Sequence, residues 1–189
     1  PIFQRSMVQG QVDRYMQNLE SGLFQLRSRM GVIKISCNIN FEDRQPFVNG
    51  SRSKAAPRTF YPPAQILEIQ QSNGTRANST NLNEDALYKG CRCRQYDSAT
   101  KKCGQLVPKS DSLRFVNTEG TSEADNVLVS VSTLTYSFTP PGTSASNTNL
   151  VIRIKPNQMI SKVRERCVEV NGNGNIFTGS WVGNSCKKH

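Results

Sequence analysis

The stretch Pro1 to Met30, PIFQRSMVQGQVDRYMQNLESGLFQLRSRM, decides how the rest of the chain is read. Val8, Val12, Tyr15, Met16, Leu19, Leu23, Leu26 and Met30 recur at steps of three or four, the spacing that gathers side chains on one face of an α-helix. Gln, Arg, Asp, Asn and Glu occupy the other face. An uninterrupted helix of this length is about 45 Å long. Pro1 stands where a helix tolerates proline, because the first N–H groups have no intrahelical partner. With no signal peptide, hydrophobic anchor or initiator Met before it, the chain reads as one cut from something longer.

After the helix the period changes. Residues 32–39 (VIKISCNI) alternate as a half-buried strand does. Residues 42–63 run through Arg44, Gly50, Arg52, Lys54, Pro57, Arg58, Pro62 and Pro63 and predict exposed loop. A short strand at 65–71 (QILEIQQ), a polar Ser/Asn/Gly/Thr stretch to residue 85 and a basic cysteine loop at 89–102 follow. Further strands are expected at 112–117, 126–138, 150–155, 167–170 and 175–178. In 126–138 (NVLVSVSTLTYSF) the alternation slips near Ser132-Thr133, which predicts a bulge or bend. This segment and 150–154 are expected to form a hairpin or to face each other in packed sheets. One long helix followed by many short strands predicts an α+β fold, an amphipathic N-terminal helix packed on a β-rich head of antiparallel sheets.

A length of 189 residues fits a single domain, with residues 1–30 as the helix and 31–189 as the head. An apolar content of 35% and a mean hydropathy of −0.54 predict long polar loops. The net charge is 24 − 14 = +10, enough to create a positive field over much of the surface and to favour polyanionic partners. Cys37, Cys91, Cys93, Cys103, Cys167 and Cys186 form an even set in loop-rich sequence, as expected of disulfides in an oxidising compartment. Zinc fits poorly, because Cys91-x-Cys93 followed by Cys103 lacks paired CxxC knuckles and a nearby histidine. Cys167 with Cys186 and Cys103 with Cys91 or Cys93 are the expected pairs, leaving Cys37 the remaining partner.

Two passages carry a family resemblance. Pro1-Ile2-Phe3-Gln4-Arg5 resembles the "ALP-x-(Tyr/Phe)-x-x" passage of type IV pilins and type II secretion pseudopilins. Arg166-Cys167-Val168-Glu169-Val170-Asn171-Gly172-Asn173-Gly174-Asn175-Ile176-Phe177-Thr178 is similar to the final hairpin of H-type minor pseudopilins and their minor-pilin relatives. Its Asn-Gly pairs accept the positive φ that tight turns require. The resemblance implies a preceding hydrophobic helix that anchors the precursor in the inner membrane. It also implies other pilin subunits as partners through the N-terminal helix, with display on a cell-surface pilus. A minor pseudopilin of a type II secretion system and a free secreted adhesive or lectin-like domain are the alternatives.

A binding role, with no enzyme activity, cofactor or metal, is expected. The one histidine, His189, is the last residue, where a catalytic triad is improbable. Glu68, Glu84, Asp85, Asp97, Asp111, Glu119, Glu123 and Asp125 lie largely in polar loop sequence, the setting of solvated acids and not of paired catalytic carboxylates. The basic residues cluster. Arg44, Arg52, Lys54 and Arg58 lie in the first loop, and Lys89, Arg92, Arg94, Lys101 and Lys102 surround the cysteine loop. Lys162, Arg164 and Arg166 alternate before Cys167, and Lys187 and Lys188 lie at the end. If extended, 162–166 aims three cations one way, a rail for DNA or acidic polysaccharide, with Tyr96 and Trp181 as stacking partners for a single strand.

Overall fold

Helix α1 spans Ile2–Ile33, a little longer than its periodic face suggested. The strand expected from residue 32 begins instead at Cys37. Extending an existing helix by one residue adds a hydrogen bond at little entropic cost, so Gly31-Val32-Ile33 continue α1 despite their modest propensity. Val8, Val12, Tyr15, Met16, Leu19 and Leu23 are buried, as their spacing predicts.

The computed structural model describes residues 2–33, 37–40, 60–63, 93–97, 102–106, 122–133, 135–139, 143–144 and 149–189. The strands expected at 65–71 and 112–117 lie outside these residues. The elements after α1 are β1 (Cys37–Asn40), β2 (Cys93–Asp97), β3 (Lys102–Leu106) and the short α2 (Ser122–Asp125). They continue with β4 (Val127–Val131), β5 (Thr135–Thr139), β6 (Thr143–Ser144), β7 (Leu150–Pro156), β8 (Arg166–Val170), β9 (Ile176–Val182) and β10 (Ser185–Lys188). A five-stranded antiparallel sheet has the order β10-β9-β8-β7-β4, and α1 packs on one face of it. The expected α+β arrangement is present.

Strand alternation divides the sheet into two faces. Val127, Val129 and Val131 of β4, Leu150, Ile152 and Ile154 of β7, and Val168 and Val170 of β8 join the buried side of α1 in one cluster. Val151 and Cys167 point the other way and pack with Trp181 and Cys186.

The segment read as one strand over 126–138 is two strands in two sheets. β4 pairs with β7, whereas β5 pairs with β1 and β6 in a three-stranded sheet. The break falls at the expected slip and has a local cause. Ser132 N–H donates to the Val151 carbonyl at 2.9 Å, and its Oγ accepts the Val151 N–H at 2.8 Å. A side chain thus ends the ladder with Val151, and the main chain is released toward the second sheet. Tyr136 and Phe138 of β5 return to the shared core with their rings edge to face, centroids 5.1 Å apart.

The Asn-Gly segment closes the β8–β9 hairpin as expected. Asn171 Oδ1 accepts the N–H groups of Asn173 and Asn175 at 3.1 and 3.0 Å, and Gly174 takes φ +80°. The β9–β10 hairpin, which the sequence reading missed, turns on Gly183 at φ +65°.

Candidate interaction surface

The polar flank of α1 holds the approach to β8. Gln9 brackets Arg164 with two hydrogen bonds, its Oε1 accepting the Arg164 N–H at 2.8 Å and its Nε2 donating to the Arg164 carbonyl at 3.3 Å. One turn on, Asp13 Oδ1 accepts from Arg166 Nε at 2.7 Å and Asp13 Oδ2 from Nη2 at 3.5 Å. Arg166 Nη1 donates to Ser180 Oγ and to His189 Nε2. Arg166 is therefore a tie between α1, β8 and β9.

The expected rail is corrected by this geometry. Lys162 sits in a turn with φ +68°, and the regular strand begins only at Arg166. Val163 packs partly against the core, Gln9 holds the backbone of Arg164, and Arg166 turns toward Asp13. Lys162 and Arg164 remain exposed, but the three cations do not form one extended row. Lys187 and Lys188 are exposed and, being consecutive on β10, lie on opposite faces of the sheet. Lys187 shares a cross-strand row with Ser180 and Arg166, while Lys188 Nζ lies 5.9 Å from the centre of the Phe177 ring.

The basic cysteine loop is in part a hairpin, because β2 and β3 pair antiparallel with shifts in register. Arg94 lies on β2 and Lys102 on β3, whereas Lys89, Arg92 and Lys101 lie outside the described residues. Across the ladder Cys93 faces Leu106 and Cys103 faces Tyr96. Cys91 lies outside the described residues, as do the pairings of Cys37, Cys93 and Cys103. Cys167 and Cys186 are joined, as expected, with their Cα atoms 5.8 Å apart.

That disulfide spans β9, from β8 to β10, and Gly179 lies between. A Cβ on Gly179 would stand 2.1 Å from the Lys187 carbonyl oxygen, so only glycine lets β10 close over this point. Trp181 does not offer a clear stacking face. The Arg153 guanidinium lies 4.5 Å from its ring centre and 5.0 Å from that of Phe60, and Arg153 Nη2 pairs with Glu165 at 2.6 Å. Lys155 Nζ covers Phe60 at 4.2 Å. Nothing in the spacing of Phe60, Arg153, Glu165 and Trp181 announces that they meet.

One constellation was absent from the sequence reading. Ser180 Oγ lies 3.2 Å from His189 Nε2, a serine–histidine pair. Arg166 can only donate and also points at that nitrogen, at 2.9 Å, so its single lone pair is engaged and does not act as a base toward Ser180. Among the described residues no three His, Cys, Asp or Glu side chains gather as metal ligands. Burial raises the Glu169 pKa, and the hydrogen bond from Asn149 Nδ2 opposes the shift. Beyond the charges, the described surface carries exposed Ile2, Phe3, Met7 and Phe24 on α1, Met159 in the β7–β8 loop and Val182 on β9.

No protein-family model matches this chain, and no curated protein matches it. Among solved structures, the type IV minor pilin FimU of Pseudomonas aeruginosa is similar at 11% identity and a TM-score of 0.40, over 99% of this chain and 97% of that one.

Proposed function

We propose that the chain is a minor pilin of the type IV class, a single α1-plus-head unit that acts by filament assembly and surface display. The observation that carries this reading is the division of α1. From Val8 to Leu23 one face is buried against the sheet, while Phe24, and Ile2, Phe3 and Met7 in the wholly exposed segment 2–7, are available to a neighbouring subunit. The resemblance at Pro1–Arg5 and through the Asn171–Asn175 hairpin supports it, as does a head closed by Cys167–Cys186. The precursor is held in the inner membrane, and the mature subunit is carried on the cell surface. The test is the coding segment upstream of Pro1 together with sheared surface filaments. A prepilin cleavage site with about twenty apolar residues, and the chain in the filament fraction, are expected; a conventional secretory signal and a free protein overturn the reading.

Capture of DNA or acidic polysaccharide is a second reading, favoured by the net charge of +10 and by exposed Lys162, Arg164, Lys187 and Lys188. Salt-titrated mobility shifts with unrelated single- and double-stranded DNA test it. Sequence-independent binding that falls with salt is expected, and no shift at low salt removes it.

A further inference from the structure

We propose that Asn173 is a deamidation site, where asparagine converts spontaneously to aspartate and isoaspartate, and that Asn149 guards the neighbouring Asn171 from the same reaction. The chemistry is local to the β8–β9 turn and is independent of the filament reading. Asparagine followed by glycine is a reactive pair, because glycine has no Cβ to shield the amide nitrogen that attacks. The described residues hold two such pairs, Asn171-Gly172 and Asn173-Gly174, in one turn. Alike in sequence, they are unlike in the fold.

At Asn171 both reacting groups are held. Its Oδ1 accepts the N–H groups of Asn173 and Asn175 at 3.1 and 3.0 Å, which fixes the carboxamide across the turn, and the Gly172 N–H donates to Asn149 Oδ1 at 3.1 Å. Asn149 is itself anchored, its Nδ2 donating to Glu169 at 3.0 Å. The Gly172 nitrogen would have to shed its proton and turn on Asn171 Cγ, and each of these bonds resists that step. At Asn173 the side chain is exposed and takes no hydrogen bond among the described residues, so it can swing onto the following nitrogen. One restraint remains there, the Gly174 N–H on the Asn171 carbonyl at 2.8 Å. The Gly174 nitrogen, its proton taken by solvent hydroxide, attacks Asn173 Cγ. A new C–N bond closes a five-membered imide, and the side-chain nitrogen takes a proton from water and leaves as ammonia. Water then opens the imide, giving aspartate when the bond to Cγ breaks and isoaspartate when the bond to the main-chain carbonyl breaks. Either product adds a negative charge to the turn. Isoaspartate also inserts a methylene into the main chain between the two N–H groups that Asn171 Oδ1 accepts.

Incubation of the folded protein at mildly alkaline pH in water enriched in oxygen-18, followed by peptide mapping, tests this, since each conversion carries a labelled oxygen. Asn173 should convert at least about tenfold faster than Asn171, the scale of the additional hydrogen bonds that restrain Asn171. In urea the two rates should draw within about threefold, because the difference belongs to the fold. Asn149→Ala, a change at an exposed position, should raise the rate at Asn171 about fivefold and leave that at Asn173 within about twofold. Absence of label at Asn173 while the urea-unfolded chain converts overturns the site, as do equal rates at the two asparagines in the folded chain. An unchanged Asn171 rate in Asn149→Ala overturns the guard.

Discussion

On the face of the five-stranded sheet that meets α1, burial is aliphatic and repetitive: Val12, Leu19 and Leu23 of the helix lie in one cluster with Val129, Ile152, Ile154 and Val168. On the opposite face the cover is heterogeneous, with a disulfide, Trp181 and a buried arginine between two rings. The first face needs only apolar area and good packing, and each buried side chain adds a similar increment. The second buries a charge, and Glu165 and two aromatic faces stand in for its water. A polar cluster of this kind depends on every member, whereas an aliphatic core weakens by degrees.

The largest effect is expected in the aliphatic layer. Leu19→Ala should cost about 4 kcal/mol in urea unfolding, because Leu19 is fully buried at the centre of the helix–sheet contact. Replacing both Cys167 and Cys186 by Ala should cost about 3 kcal/mol, the closure of a loop spanning 19 residues. Combining the two changes tests whether the faces are independent. Their costs should add to within about 0.5 kcal/mol, and a larger coupling would show that β10 helps to seat α1.

Arg153 provides the sharper contrast between the faces. Arg153→Ala should cost about 2 to 3 kcal/mol, since it removes the ion-pair partner of Glu165 and the guanidinium packed on both rings. Arg153→Met combined with Glu165→Gln should recover most of that loss, because filling the slot matters more than the charge pair. Failure of the double replacement to recover stability would make the ion pair itself the stabilising element.

The smallest effect concerns pH. The raised pKa of Glu169 means that the folded state holds its proton more tightly than the unfolded state does. Its contribution is therefore most favourable below the ordinary carboxyl value of 4.5 and is lost as pH rises from there through the raised folded value. Glu169→Gln should raise the melting temperature by about a degree at neutral pH, with no gain at pH below 4.5. An equal gain at both pH values would point to a cause other than ionisation.

Much of the helix was legible because its evidence is local. Val8 through Leu23 recur at helical spacing, and the same residues are buried. The Asn171–Asn175 turn was legible for the same reason, as glycine and asparagine satisfy it from within the segment. The slip at Ser132-Thr133 was visible, but not its consequence. Alternation reports a strand's faces and is silent on which sheet receives it, and Ser132 is released because its own hydroxyl takes the Val151 N–H. For the basic rail, spacing suggested three aligned cations, while tertiary contacts placed Arg166 against a carboxylate 153 residues away in sequence. The disulfide was anticipated as a closure of the C-terminal loop. That it spans a strand, and needs Gly179 beneath it, was not.

The sequence by itself determined a long amphipathic helix, a strand-rich remainder, the Asn-Gly hairpin between β8 and β9 and an excess of positive charge, because period, turn chemistry and composition act over a few residues or over the whole chain. Only the tertiary structure decided which cations remain at the surface, which aromatic rings are covered and where the chain changes sheets. Those outcomes depend on partners brought together from distant segments, Gln9 and Asp13 with residues 164–166 and Phe60 with Arg153 and Trp181, whose meeting follows from the packing of α1 and the strands and not from the residues' own neighbours.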